Sequence, residues 1–184
     1  MQDILARAEA KMKSSVDVLR KELASIRTGR ASPGLVEGLH VEYYGAETPL
    51  KQLANISAPE TRTIVIQPYD RTAMSSIEKA ILKSDLGLTP NNDGQNIRLT
   101  IPTLTEERRK DLVKVVRKQL EEGRVAIRNV RREAVDHLKE MEKVKTLSAD
   151  DDKRAQERLQ RLTDTYIKQI DEIGHAKETE VMEV

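Results

Sequence analysis

Val116, Leu120, Gly123, Ile127, Val130, Ala134, Leu138 and Met141 recur three and four residues apart, so one helix would carry them all on one face. The run from Thr105 to about Val144 holds no proline and would span roughly 60 Å as a helix. Such a helix cannot bury its own stripe and needs long helical partners. Two segments qualify. Residues 3–28 repeat Ile4 or Leu5, Ala8, Met12, Ser15 or Val16, Leu19, Leu23 and Ile26, and end at the stop signals Gly29, Pro33 and Gly34. After Ser148 and Asp151, which read as a capping box, come Ala155, Leu159, Leu162, Tyr166, Ile170 and Ile173. With no Phe, no Trp and four Tyr in 184 residues, the seam must be aliphatic, which suits helix-on-helix packing.

Between His40 and Ile101 the grammar changes. VEYY, RTIVIQ and NIRLTI are short β-like runs, separated by Pro49, Ser57 to Pro59, Pro68 and the cluster Pro90, Asn91, Asn92, Asp93, Gly94. Thr72 to Leu86 reads as one amphipathic helix through Ile77, Ala80, Ile81 and Leu82. The fold class is α+β: a long three-helix bundle of residues 1–29 and 106–184, with a small α/β unit of residues 30–105 inserted between its first and second helices. Two linkers, near 29–33 and 102–105, cross at the same end of the bundle and can act as paired hinges.

Charge is uneven. Arg108 to Arg132 carries ten Lys or Arg against three acids, a formal +7 in a chain of net +1. On a helix, Lys110, Arg117, Arg124, Arg128 and Arg131 fall within about 60° of one another, with Lys114 and Arg132 at one edge. Arginine forks hold phosphate oxygens in pairs and release counterions, so RNA or DNA is the first partner to consider. The bland alternative is pairing with an acidic helix, and residues 133–184 do hold fourteen acids to nine bases. Single-strand readers stack bases on aromatic rings. Here Tyr43, Tyr44 and Tyr69 lie in the α/β unit, where they are expected to pack its core. Structured RNA, met through phosphates and shape, fits better.

Other chemistry is thin. Without cysteine there is no disulfide or thiolate chemistry, and His40, His137 and His175 lie too far apart for a metal site. Asp150, Asp151 and Asp152 suit a helix start better than a calcium loop. Gly29 to Gly34 has phosphate-loop glycine spacing, but Leu35 and Val36 stand where Lys and Ser or Thr belong. Nothing argues for an enzyme, a metal or a cofactor. No signal-like or membrane-spanning run occurs, so a soluble cytoplasmic monomer is the expectation.

The strings IRTGRASP (Ile26 to Pro33), VEYYG (Val41 to Gly45), KAI..SDLGL (Lys79 to Leu88), LTEERRKDL (Leu104 to Leu112), RVAIRNVRRE (Arg124 to Glu133) and DDDKR (Asp150 to Arg154) closely resemble the ribosome recycling factor family. That resemblance implies an L-shaped molecule of tRNA-like outline, a three-helix bundle and a β/α/β domain joined by a double hinge. It also implies binding to the post-termination bacterial ribosome, with the bundle across the A and P sites of the large subunit. With elongation factor G and its GTP, members split the subunits so that mRNA and tRNA leave. By position, Arg128, Arg131 and Arg132 should hold large-subunit rRNA, beside Arg124 and Arg117 of the same basic face, with Arg27 and Arg30 as further candidates. Gly29, Arg30, Ala31, Ser32 and Pro33, with Thr103, Leu104 and Thr105, should form the hinge. The runner-up is a helical adaptor whose Arg stripe pairs with an acidic protein helix.

Overall fold

A computed structural model describes residues 1–183. The chain divides into two compact units, one of Met1–Leu23 with Lys110–Glu183 and one of Ala24–Arg109. The sequence reading placed these crossings at 29/30 and 105/106.

The first unit is helical: α1 (Gln2–Ala24), most of α4 (Glu106–Lys143) and α5 (Ala149–Met182). Each buries one stripe at helical spacing. Leu5, Ala8, Met12, Val16, Leu19 and Leu23 come from α1, Leu112, Val116, Leu120, Ile127, Ala134 and Leu138 from α4, and Ala155, Leu159, Thr163, Tyr166 and Ile170 from α5. Helix α1 stops five residues short of Gly29. Beyond Ala24 the chain spends its polar groups on other partners: the Arg27 guanidinium donates to the Leu86 carbonyl, and Thr28 is buried with its Oγ1 accepting from the Arg30 amide at 3.3 Å.

Caps fix the helix starts. Thr105 Oγ1 accepts from the Arg108 amide at 3.1 Å, and Glu106 and Glu107 suit the positive end of the α4 dipole. Ser148 Oγ accepts from the Asp151 amide at 3.1 Å ahead of α5. Helix α4 ends in a Schellman turn, with Lys145 left-handed at φ 58° and the Thr146 amide donating to the Met141 carbonyl at 3.0 Å.

The second unit is built from six strands. A hairpin of β1 (His40–Tyr43) and β2 (Ala46–Pro49) turns through Tyr44 and Gly45, both at positive φ, which matches the twist of the strands. A single turn of helix, α2 (Leu50–Leu53), leads to the sheet. Strands β3 (Ala54–Glu60), β4 (Thr63–Pro68), β5 (Pro90–Asn92) and β6 (Ile97–Thr100) pair antiparallel in the order β3-β4-β6-β5. Helix α3 (Met74–Lys83) supplies Met74, Ile77 and Ile81 to a core shared with Val41, Ile64, Ile66, Ile97 and Leu99.

Two expectations need correction. Strands β3 and β5 run through residues expected as turns, Ser57 to Pro59 and Pro90 to Asn92, because Pro59 and Pro90 sit on edge strands where a missing amide costs no ladder bond, and β2 ends on Pro49. Tyr44 and Tyr69 do not pack the core: Tyr44 is 82% and Tyr69 72% exposed, and Leu82 is also exposed. Only Tyr43 is partly buried there, its hydroxyl donating to Asp70 Oδ2 at 2.8 Å.

Candidate nucleic-acid interface

Burial of the Leu112 to Leu138 stripe fixes the rotation of α4 and thereby aims its arginines. They do not share one fate. Arg117 Nε donates to Glu178 of α5 at 3.0 Å. Arg124 grips Asp171 Oδ1 through Nε at 2.9 Å and Nη2 at 2.7 Å, while Nη1 reaches Glu121 at 3.1 Å. Its pKa is raised, first by the Asp171 hydrogen bond and against some desolvation. Two arginines of the stripe, Arg117 and Arg124, therefore do pair with an acidic neighbouring helix, inside the same molecule.

Toward the carboxyl end of α4 the pairing fades. Arg128 lies 3.5 Å from Glu121, the same carboxylate that Arg124 uses. Arg131 meets a neutral group, Gln160 Oε1, at 2.7 Å, so its charge is not cancelled. Arg132 is exposed and makes no ion pair among the described residues. Arg131, Arg132 and Lys139 line one cleft with Gln156 and Gln160 of α5. The lining of this cleft itself carries three cations against one acid, Asp136, and neither Arg131 nor Arg132 is held in an ion pair among the described residues, so both can meet an anion.

Arg27 and Arg30 lie in the other unit. The Arg27 guanidinium is committed to the Leu86 carbonyl, whereas Arg30 is exposed. The linker residues run side by side. A Cβ on Gly29 would lie 3.7 Å from Leu104 Cγ. The Ala31 amide donates to the Thr61 carbonyl at 2.6 Å, and the Ile101 amide to the Arg62 carbonyl at 2.7 Å, so one β3–β4 turn ties both linkers. Ser32 precedes a 3₁₀ turn begun by Pro33, Thr103 is exposed, and Thr105 caps α4.

Sequence reading missed Lys139, Gln156 and Gln160. Lys139 follows Arg132 by seven residues and the two glutamines are four apart, so each set shares a helix face, but nothing in one sequence says that the two faces meet. No helix is long and apolar enough to cross a membrane among the described residues.

Comparison with known proteins agrees in one direction. The family model for ribosome recycling factor matches residues 19–182. The ribosome-recycling factor of Natranaerobius thermophilus is 59% identical over 181 residues, 98% of each chain, and that of Carboxydothermus hydrogenoformans is 56% identical over 184 residues, 100% of each. Among solved structures, a solution structure of a ribosome recycling factor has a TM-score of 0.80 at 50% identity, covering 100% of this chain and 97% of that one. A second concerns the T. thermophilus ribosome recycling factor and E. coli elongation factor G bound to the E. coli post-termination complex. It has a TM-score of 0.70 at 50% identity and covers 99% and 98%.

Proposed function

The chain belongs to the ribosome recycling factor family, and on that premise we propose which of its residues carry the work. The protein is a translation factor that binds the post-termination ribosome. With elongation factor G and GTP it splits the ribosome into subunits, so that mRNA and tRNA are released and the subunits are reused.

The finer assignments are ours. The bundle lies across the A and P sites of the large subunit, and Arg131 and Arg132, helped by Arg128, hold rRNA phosphates. Arg117 and Arg124 serve mainly to clamp α4 to α5, and Arg27 to fix its own unit; Arg30 is a secondary RNA contact. GTP hydrolysis belongs to elongation factor G, and this chain acts in the cytoplasm as a lever rather than an enzyme. Gly29 to Pro33 and Thr103 to Thr105 form the paired hinge about which the smaller unit moves when pushed.

The observation that carries this reading is the unequal pairing along α4: carboxylates of α5 bind Arg117 and Arg124, but Arg131 and Arg132 make no ion pair among the described residues. Co-sedimentation with ribosomes across a salt series tests it. Arg131→Ala should weaken binding and lower the salt slope by roughly one unit. An unchanged slope in a folded variant contradicts the assignment.

A further inference from the structure

The cleft that Arg131, Arg132 and Lys139 line has a volume of about 380 Å³, at the low end of small-ligand sites, which run roughly 300–1,000 Å³. Arg131, Arg132, Val135, Asp136 and Lys139 line it from α4, and Gln156 and Gln160 from α5. More than charge is arranged here.

Partners fix how both amides point. Gln156 Nε2 donates to Asp152 Oδ2 at 2.7 Å, and Gln160 Nε2 donates to Asp164 Oδ1 at 2.9 Å. A carboxylate only accepts, so each amide nitrogen must turn to its aspartate and each carbonyl away from it. Arg131, which only donates, takes the Gln160 carbonyl. The Gln156 carbonyl has no hydrogen-bond donor among the described residues. Asp152, which holds it, is only 6% exposed, and its other oxygen, Oδ1, is buried without a hydrogen bond. Burying a carboxylate oxygen in this way is costly.

A bare phosphate does not fit this combination. Arg132 and Lys139 suit phosphate oxygens, but an acceptor carbonyl beside them repels those oxygens. A nucleotide satisfies both. Its phosphate can sit on Arg132 and Lys139, its ring against Val135 and a guanidinium plane, and an amino or imino N–H of its base on Gln156 Oε1.

We propose that this cleft holds one extrahelical nucleotide of structured RNA, with Gln156 Oε1 accepting a hydrogen bond from the base and Asp152 acting as the positioning residue for Gln156. The proposal rests on the RNA-binding reading of α4 and adds a base contact to its phosphate contacts.

Purified large ribosomal subunits are the probe, and the salt series separates the two claims. Gln156→Met keeps the side chain's length but removes the acceptor, and should weaken binding roughly tenfold at every salt concentration with an unchanged slope. Arg132→Ala should lower the slope by about one unit. Base probing with dimethyl sulfate and a carbodiimide should find a base edge protected by the native protein and exposed with Gln156→Met. Gln156→Lys guards against a folding failure, since its ammonium satisfies Asp152; it should bind at least as tightly at low salt yet lose the base protection. If Gln156→Met binds like the native protein, or either variant keeps every base protection, the nucleotide cleft is wrong while the phosphate assignment stands. If Arg132→Ala also leaves the slope unchanged, the RNA reading of α4 fails with it.

Discussion

Arg124 binds Asp171 through two nitrogens, at 2.9 and 2.7 Å, and joins the middle of α4 to α5. Its side chain is only 26% exposed, so little of the charge is open to an external phosphate. Asp171 is about half exposed, which limits the pair to roughly 0.5–1 kcal/mol of coupling. A double-mutant cycle of Arg124→Ala and Asp171→Ala, read by thermal unfolding, should return that coupling. Ribosome binding by Arg124→Ala should keep nearly the native salt slope, in contrast to Arg132→Ala.

Two helix glycines should respond unequally to alanine. At buried Gly174 a Cβ would overlap Leu120 Cδ1 and lie 2.9 Å from Cδ2, so buried Leu120 must move. Gly174→Ala should destabilise by about 1–2 kcal/mol, overpacking outweighing the gain in helix propensity. At Gly123 the nearest atoms are Leu19 Cδ2 at 3.2 Å and Ile170 Cδ1 at 3.5 Å, a contact that side chains can relieve. Gly123→Ala should then fall within about 1 kcal/mol of neutral. Urea denaturation of both variants checks the contrast.

The Tyr43 phenol is pushed up to about 12, first by its hydrogen bond to Asp70. Asp70 is held below its ordinary value, first by the Thr72 amide and then by Tyr43. A raised phenol binds its proton more tightly when folded, so its contribution is intact below pH 10 and is lost as pH climbs toward 12. A depressed carboxyl works at the other end: its contribution is present above the unfolded value near 3.8 and fades as pH falls through the folded one. Burial and Glu9 also raise the Tyr166 phenol, so tyrosinate absorbance should show two late phenols, of which Tyr43→Phe removes one and Asp70→Asn brings the same one down. Asp70→Asn should also flatten the acid limb of the stability curve.

Gly29 has no steric need to be glycine, since a Cβ there would make ordinary contact with Leu104. Gly29→Pro goes further and fixes φ in one linker; the folded variant should bind ribosomes nearly as well as the native chain but split subunits more slowly. Equal loss of binding and splitting would point to a folding defect and not to a hinge.

Much of the bundle was legible because helical periodicity is local. Leu5 to Leu23, Leu112 to Leu138 and Ala155 to Ile170 repeat at the spacing that burial demands, and Thr105 and Ser148 announce their helices through short-range hydrogen bonds. The sheet was less legible because pairing is not local. ANISAPE becomes a strand only when β4 lies beside it, and Tyr44 leaves the strand pattern because a tight hairpin needs two residues at positive φ. The candidate interface divides the same way. Arg131 and Arg132 stand out in sequence, but the carboxylates that occupy Arg117 and Arg124 lie 61 and 47 residues away on α5. Gln156 acquires meaning only where α5 meets α4.

Light scattering of post-termination ribosomes mixed with this protein, elongation factor G and GTP tests the central claim most directly, with each component left out in turn. The account predicts a drop in scattering that requires both proteins and hydrolysable GTP and is slowed by Arg132→Ala. Tight ribosome binding with no drop under any combination would contradict it.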